Sequence, residues 1–120
     1  MIEEYKFGQI IIDGKRYNFD VEVRWTGEVL QWQREESHII DFKDVARAVS
    51  QKPEIIIIGT GAYGVAKVTP RAKKLIKDQG IELVIDSTEE AIKTFNIQLQ
   101  ESKEEEGREK KIIGLFHLTC

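Results

Sequence analysis

Apolar and polar positions alternate along the first part of the chain and then give way to helical spacing. This change of period divides the sequence into elements. From Tyr5 to Val23 the pattern predicts a β-hairpin, with Phe7, Ile10, Ile11 and Ile12 before Asp13-Gly14 and Tyr17, Phe19, Val21 and Val23 after it. Asp-Gly supplies the positive φ angles that a tight type I′ turn demands. A shorter extended run, Val29-Leu30-Gln31-Trp32, follows Gly27, and alternation puts Leu30, Trp32 and Arg34 on one face.

Helical spacing begins after Asp41, which can cap a helix whose Phe42, Val45, Ala46 and Val49 share a face and which must end before Pro53. Ile55-Ile56-Ile57-Ile58 then forms an unbroken β-branched run, the mark of a central strand covered on both faces. Gly59 to Gly64 is the loop after it. Val65-Ala66-Lys67-Val68 favours an extended path, and Thr69-Pro70 places a cap and a first-turn proline before Ala72, Leu75 and Ile76. Gly80 stops that helix, and Ile81 to Asp86 reads as a strand. Ser87 and Glu90 have capping-box spacing ahead of the stripe Ala91, Ile92, Phe95 and Leu99. Glu101 to Lys111 mixes both charge signs and reads as a solvated helix end and loop. The closing run, Lys111 to Cys120, is apolar on both faces of a strand and should be an inner one.

The elements add up to a β-hairpin and short strand followed by α, β, α, β, α, β. An α/β fold with helices on a central sheet follows, as one domain over residues 1–120. A chain of 120 residues can bury one core without disulfides or a structural metal. The net charge of −3 offers no electrostatic footprint for nucleic acid or an anionic membrane. No run approaches the roughly 20 apolar residues that span a bilayer, and the opening Met1-Ile2-Glu3-Glu4 lacks the features of a targeting segment. With Cys120 as its lone cysteine the chain suits a reducing compartment, so a soluble cytoplasmic protein is expected.

Several short motifs in one order carry a resemblance: Gly8-Gln9, Leu30-Gln31-Trp32-Gln33-Arg34, Ile58-Gly59-Thr60-Gly61, Lys67-Val68, Ala91 to Asn96, and Gly114-Leu115-Phe116-His117-Leu118-Thr119-Cys120. Along essentially its whole length the chain resembles the Mth-domain family, which includes the adipogenesis-associated Mth-domain protein and mitochondrial complex I assembly factor 3. The resemblance implies a three-layer α/β fold with a mixed central sheet and a hairpin extension, and no settled chemistry. The mitochondrial branch looks like an assembly factor, but it carries a targeting segment that these residues lack.

Candidate chemistry gathers at a few positions. Gly59-Thr60-Gly61-Ala62-Tyr63-Gly64 is a literal G-x-G-x-x-G after a strand, and Asp86 ends the next strand. A dinucleotide site needs the helix to open on the glycines, because its free amides and dipole hold the pyrophosphate. The cap at Thr69-Pro70 starts the helix too late, which favours a structural turn or a small-ligand or anion pocket. Trp32 beside Arg34 can form an anion-accepting wall or close the core while Arg34 pairs with a nearby Glu. Asn96 interrupts an apolar stripe and, if buried, must be hydrogen-bonded, with the loop around Thr60 as its expected partner. His117 and Cys120, three apart on a strand, point to opposite faces, which argues against a thiolate pair.

Neither a catalytic constellation nor a metal-ligand set emerges, and no cofactor is expected. The leading expectation is a non-catalytic protein-binding or assembly module whose partner is another protein. The alternative is a small-molecule or anion-binding protein, or an enzyme, with a pocket shared by Trp32, Arg34, Gly59, Thr60, Gly61, Asn96 and His117.

Overall fold

A computed structural model of the chain describes residues 1–106 and 110–120. The N-terminal region forms three antiparallel strands, β1 (Ile2–Lys6), β2 (Gln9–Ile12) and β3 (Lys15–Tyr17), paired in the order β1-β2-β3. The turn between β2 and β3 is the expected one: Asp13 and Gly14 both have positive φ, 49° and 81°. The hairpin prediction is corrected at both ends. A turn at Gly8, φ 79°, adds β1 in front, and the apolar Val21 and Val23 leave the hairpin for β4 (Val21–Arg24) in the main sheet. Asp20 marks that departure, because its carbonyl accepts from Trp32 N and its carboxylate from Leu118 N, both outside the hairpin.

The main sheet has five strands. β5 (Val29–Gln31) pairs with β4, β6 (Ile39–Ile40) lies apart, and α1 (Phe42–Ser50) leads to β7 (Ile55–Thr60). The Asp41 side chain accepts from Phe42 N and Asp44 answers with a bond to the Asp41 amide, a full capping box. β8 (Lys67–Val68), α2 (Pro70–Asp78), β9 (Glu82–Asp86), α3 (Thr88–Glu106) and β10 (Ile112–His117) follow. Sheet order is β5-β4-β10-β7-β9. β10 runs parallel to β7 and antiparallel to β4, so the sheet is mixed. The isoleucine run is fully buried as expected, but β10 takes the middle position and β7 lies beside it.

Two apolar clusters sandwich this sheet. On one face Val21, Val23, Ile55 and Ile57 meet Ala91, Ile92 and Phe95 of α3 together with Ile10 and Ile12 of the small sheet. On the other, Ile56, Ile58, Ile113 and Leu115 meet Val45 and Ala48 of α1 and Ala72 and Ile76 of α2. The fold is therefore three-layered α/β, with the small sheet as an extension. Extended backbone after Gly64 is realised as β8, which pairs with β6 in a separate parallel ribbon. α2 opens on Pro70, with Thr69 Oγ1 accepting from Ala72 N. Glu90, the expected capping partner of Ser87, lies 3.5 Å from Lys93 Nζ. Residues 107–109 of the charged run lie outside the described residues. No helix among the described residues is long and apolar enough to cross a membrane.

Candidate functional site

β7 and β10 end together, with Thr60 in register with His117, and the glycine loop leaves the sheet at that rim. The polar groups on its inner side are bonded within the protein. Gly61 N donates to Thr88 Oγ1 at 2.8 Å, and that hydroxyl donates to the His117 carbonyl at 2.5 Å. Thr60 Oγ1 donates to the Asp86 carbonyl, Ala62 N to the Thr119 carbonyl, and the Gly61 carbonyl accepts from Thr88 N.

The glycines are needed because other backbone comes too close for a side chain. A Cβ on Gly59 would lie 2.9 Å from Thr88 Cα, and one on Gly61, at φ 105°, would lie 2.7 Å from both the Thr119 and Cys120 carbonyl oxygens. The helix against the loop is α3, not the α2 that follows in sequence, and its Thr88 amide is taken by Gly61. The Gly61, Ala62 and Thr88 amides that a pyrophosphate would call on are already taken.

Beside this rim lies a buried charged cluster. Asp20 Oδ2 accepts from Arg34 Nη2 at 2.6 Å and lies 2.8 Å from His117 Nδ1, while Oδ1 accepts from Leu118 N. Burial pushes the Asp20 carboxyl up, but the hydrogen bonds from His117, Arg34 and the Leu118 amide outweigh it and hold it below its ordinary value. Arg34 Nη2 is also 2.7 Å from His117 Nδ1. The contact with Asp20 needs the proton on Nδ1, since a bare Nδ1 would face the carboxylate oxygen lone pair to lone pair at 2.8 Å. His117 Nε2 is then buried without a partner, as is Arg34 Nε.

Arg34 Nη1 donates to the Glu36 and Ser37 carbonyls at 2.9 Å each, and the guanidinium stacks 4.9 Å over Trp32. The arginine is therefore a clamp. Its side chain is 4% exposed and its partner is Asp20, not the Glu anticipated from sequence. Trp32 is buried and donates Nε1–H to the Asp44 carbonyl. A cleft of about 630 Å³ opens over these groups, lined by Asp20, Trp32, Arg34, Glu35, Lys43 and Asp44 among others, with both charge signs represented.

The structure thus gathers Gly59, Thr60, Gly61 and His117 at one rim and joins Trp32 and Arg34 to them through Asp20. Asn96 stands apart: its amide brackets Ile2, accepting from Ile2 N and donating to Ile2 O, so it pins β1 to α3 and has no part in the Thr60 loop. Cys120 is exposed, and no sulfur reaches His117 Nε2. Sequence reasoning missed Asp20 and Thr88. The break in alternation after Phe19 was the available sign for Asp20; Thr88 was hidden behind the cap assigned to Ser87.

The outside of the loop is apolar. Phe7, 57% exposed in the β1–β2 turn, lies 6.3 Å from the ring of Tyr63, 75% exposed in the glycine loop. Gly8 N and the Tyr5 hydroxyl both donate to the Leu118 carbonyl, which fastens this turn to the rim.

A family model described as a protein of unknown function (DUF498/DUF598) matches residues 2–105. Among solved structures, a conserved hypothetical protein, PH1505, from Pyrococcus horikoshii OT3 is 29% identical, with TM-score 0.81 over 100% of this chain and 99% of that one. The protein MT938 is 25% identical, with TM-score 0.77 over 100% and 98% of the two chains. A Bordetella pertussis protein described as a Mth938-like domain shares the fold at 18% identity and TM-score 0.69, over 95% and 84%.

Proposed function

The chain belongs to the DUF498/DUF598 family of proteins of unknown function, and from that premise we propose that it is a non-catalytic binding or assembly module whose partner is another protein. One observation carries the reading. The Gly61 and Ala62 amides and the Thr60 hydroxyl of the glycine loop are bonded within the protein, while the loop's outer side presents the aromatic pair Phe7 and Tyr63 to solvent. Exposed aromatics held on a fixed scaffold are what interface hot spots are built from. A photo-crosslinker in place of Tyr63, expressed in the native cell, should give one reproducible protein adduct that Phe7→Ser abolishes. Adducts that vary between preparations, or that ignore Phe7→Ser, would count against it.

A second reading, a site for a small polar molecule or anion, draws on the partnerless His117 Nε2 and Arg34 Nε beside the cleft over Asp20 and Trp32. It ranks lower because both atoms are sealed from the surface and the Arg34 guanidinium already serves three acceptors. Thermal-shift screening with nucleotides, phosphate and carboxylates separates the two readings, since a ligand that binds only the folded state raises its stability by mass action.

A further inference from the structure

The two outer strands of the main sheet are treated differently. β5 is three residues long, and Arg47 Nη2 donates to its Gln31 carbonyl at 2.9 Å, so that edge is short and capped. β9 is five residues long and, among the described residues, pairs with β7 alone. Glu82 N donates to the Glu54 carbonyl, which sets the phase of the ladder: Glu82, Val84 and Asp86 bond toward β7, and Leu83 and Ile85 turn their amides and carbonyls outward. Among the described residues nothing bonds to those outward groups. Neither proline nor a bulge interrupts this edge, and of the usual devices that keep other strands away it carries only the two acidic side chains Glu82 and Asp86.

Side chains on β9 say what would fit. Register with β7 places Glu82, Val84 and Asp86 on the α3 face, and Leu83 and Ile85 on the α2 face. Glu82 and Asp86 are exposed, and Ile85 is 39% exposed. A second copy fits poorly. The antiparallel self-pairing that uses all the outward groups sets Leu83 against Ile85 and Glu82 against Asp86, so like charges face each other twice. A strand with basic residues at those two places meets attraction where the self-pair meets repulsion.

We propose that the outer edge of β9 is a docking site for an extended segment of another protein, which adds to the sheet as a sixth strand. The segment carries Lys or Arg four residues apart, opposite Glu82 and Asp86, with apolar residues between them covering Leu83 and Ile85. Main-chain hydrogen bonds to Leu83 and Ile85 supply affinity, and the acidic pair selects the sequence. This rests on the binding-module reading but uses residues other than Phe7 and Tyr63.

The test is a nuclear magnetic resonance titration of the full chain with the capped peptide Thr-Lys-Val-Thr-Val-Lys-Thr, whose symmetry serves either strand direction. Saturable shifts centred on residues 82–86 are expected, and a peptide with Glu in place of both Lys should bind worse. Replacing Glu82→Lys together with Asp86→Asn turns off both attractive pairs and should weaken the Lys peptide about tenfold. Ile85→Pro, which removes one outward amide, should also weaken it while the thermal unfolding midpoint holds. No saturable shift at millimolar peptide, a Lys preference that survives the charge change, or β9 amides protected by self-association would each overturn the proposal. The crosslinking result at Tyr63 is unaffected by any of these outcomes, because those variants leave the aromatic rim intact.

Discussion

Asp20 and His117 are 97 residues apart in the chain, yet Asp20 Oδ2 lies 2.8 Å from His117 Nδ1. The same carboxylate oxygen takes the Arg34 guanidinium, so one acid fixes the start of β4, the loop after Trp32 and the end of β10. The pairing joins segments that sequence pattern alone treats as unrelated.

Asp20→Asn keeps the shape of the side chain and removes its charge. Arg34, 4% exposed, then stays buried without a counter-ion. Breaking a buried pair by neutralising one partner costs about 3 kcal/mol. Urea unfolding followed by fluorescence measures this, and a loss under about 1 kcal/mol would show that the cluster contributes nothing beyond a surface pair.

The same carboxylate predicts an acid limb. Its folded pKa is lowered, so the unfolded chain takes up the proton first as pH falls. The stability it contributes is complete above the unfolded carboxyl value of about 3.9 and drains away as pH drops through the lower folded value. Denaturant midpoints between neutral pH and pH of about 2 should fall more steeply for the wild type than for Asp20→Asn. Parallel limbs would mean that Asp20 titrates alike in both states.

Gly61→Ala and Gly14→Ala separate conformation from crowding. Both glycines have positive φ, 105° and 81°, but a Cβ at Gly14 meets nothing within 4 Å, whereas at Gly61 it lies 2.7 Å from two carbonyl oxygens. Gly14→Ala should cost about 1 kcal/mol, and Gly61→Ala at least about 3 kcal/mol, since backbone must also move. Equal costs would remove close approach as the reason for this glycine.

Thr88 offers the cleanest test of the rim. Thr88→Val keeps the volume but leaves the Gly61 amide and the His117 carbonyl buried without that hydroxyl. A loss of about 2–4 kcal/mol is expected, because each unsatisfied buried group costs roughly 1–3 kcal/mol, while Thr88→Ser should recover most of it. Hydrogen exchange at the Gly61 amide reads the effect locally and should speed up in Thr88→Val only.

What the sequence disclosed and what it hid divide along contact distance. The isoleucine run, the Asp13-Gly14 turn and the Thr69-Pro70 cap are local signals, and each stands where its pattern places it. β1 escaped notice because its only buried residues are Ile2 and, in part, Tyr5, too few to alternate visibly. β6 and β8 have two residues each, below what periodicity can register. Asp20, Thr88 and the bracket of Asn96 on Ile2 act through partners far away in the chain, and nothing in their neighbours names those partners. Arg34 was visible as a charge beside an aromatic, but whether it faces solvent or is consumed inside depended on Asp20.

The place of β10 has a consequence for synthesis. Two strands made much earlier, β4 and β7, can be joined only when residues 112–117 slide between them. Until that segment is made, each has one open edge of mostly buried-type residues, the kind of unpaired edge that invites foreign strands. Completion of the sheet therefore waits for residues 112–117, and premature termination before residue 112 yields a product with its middle missing.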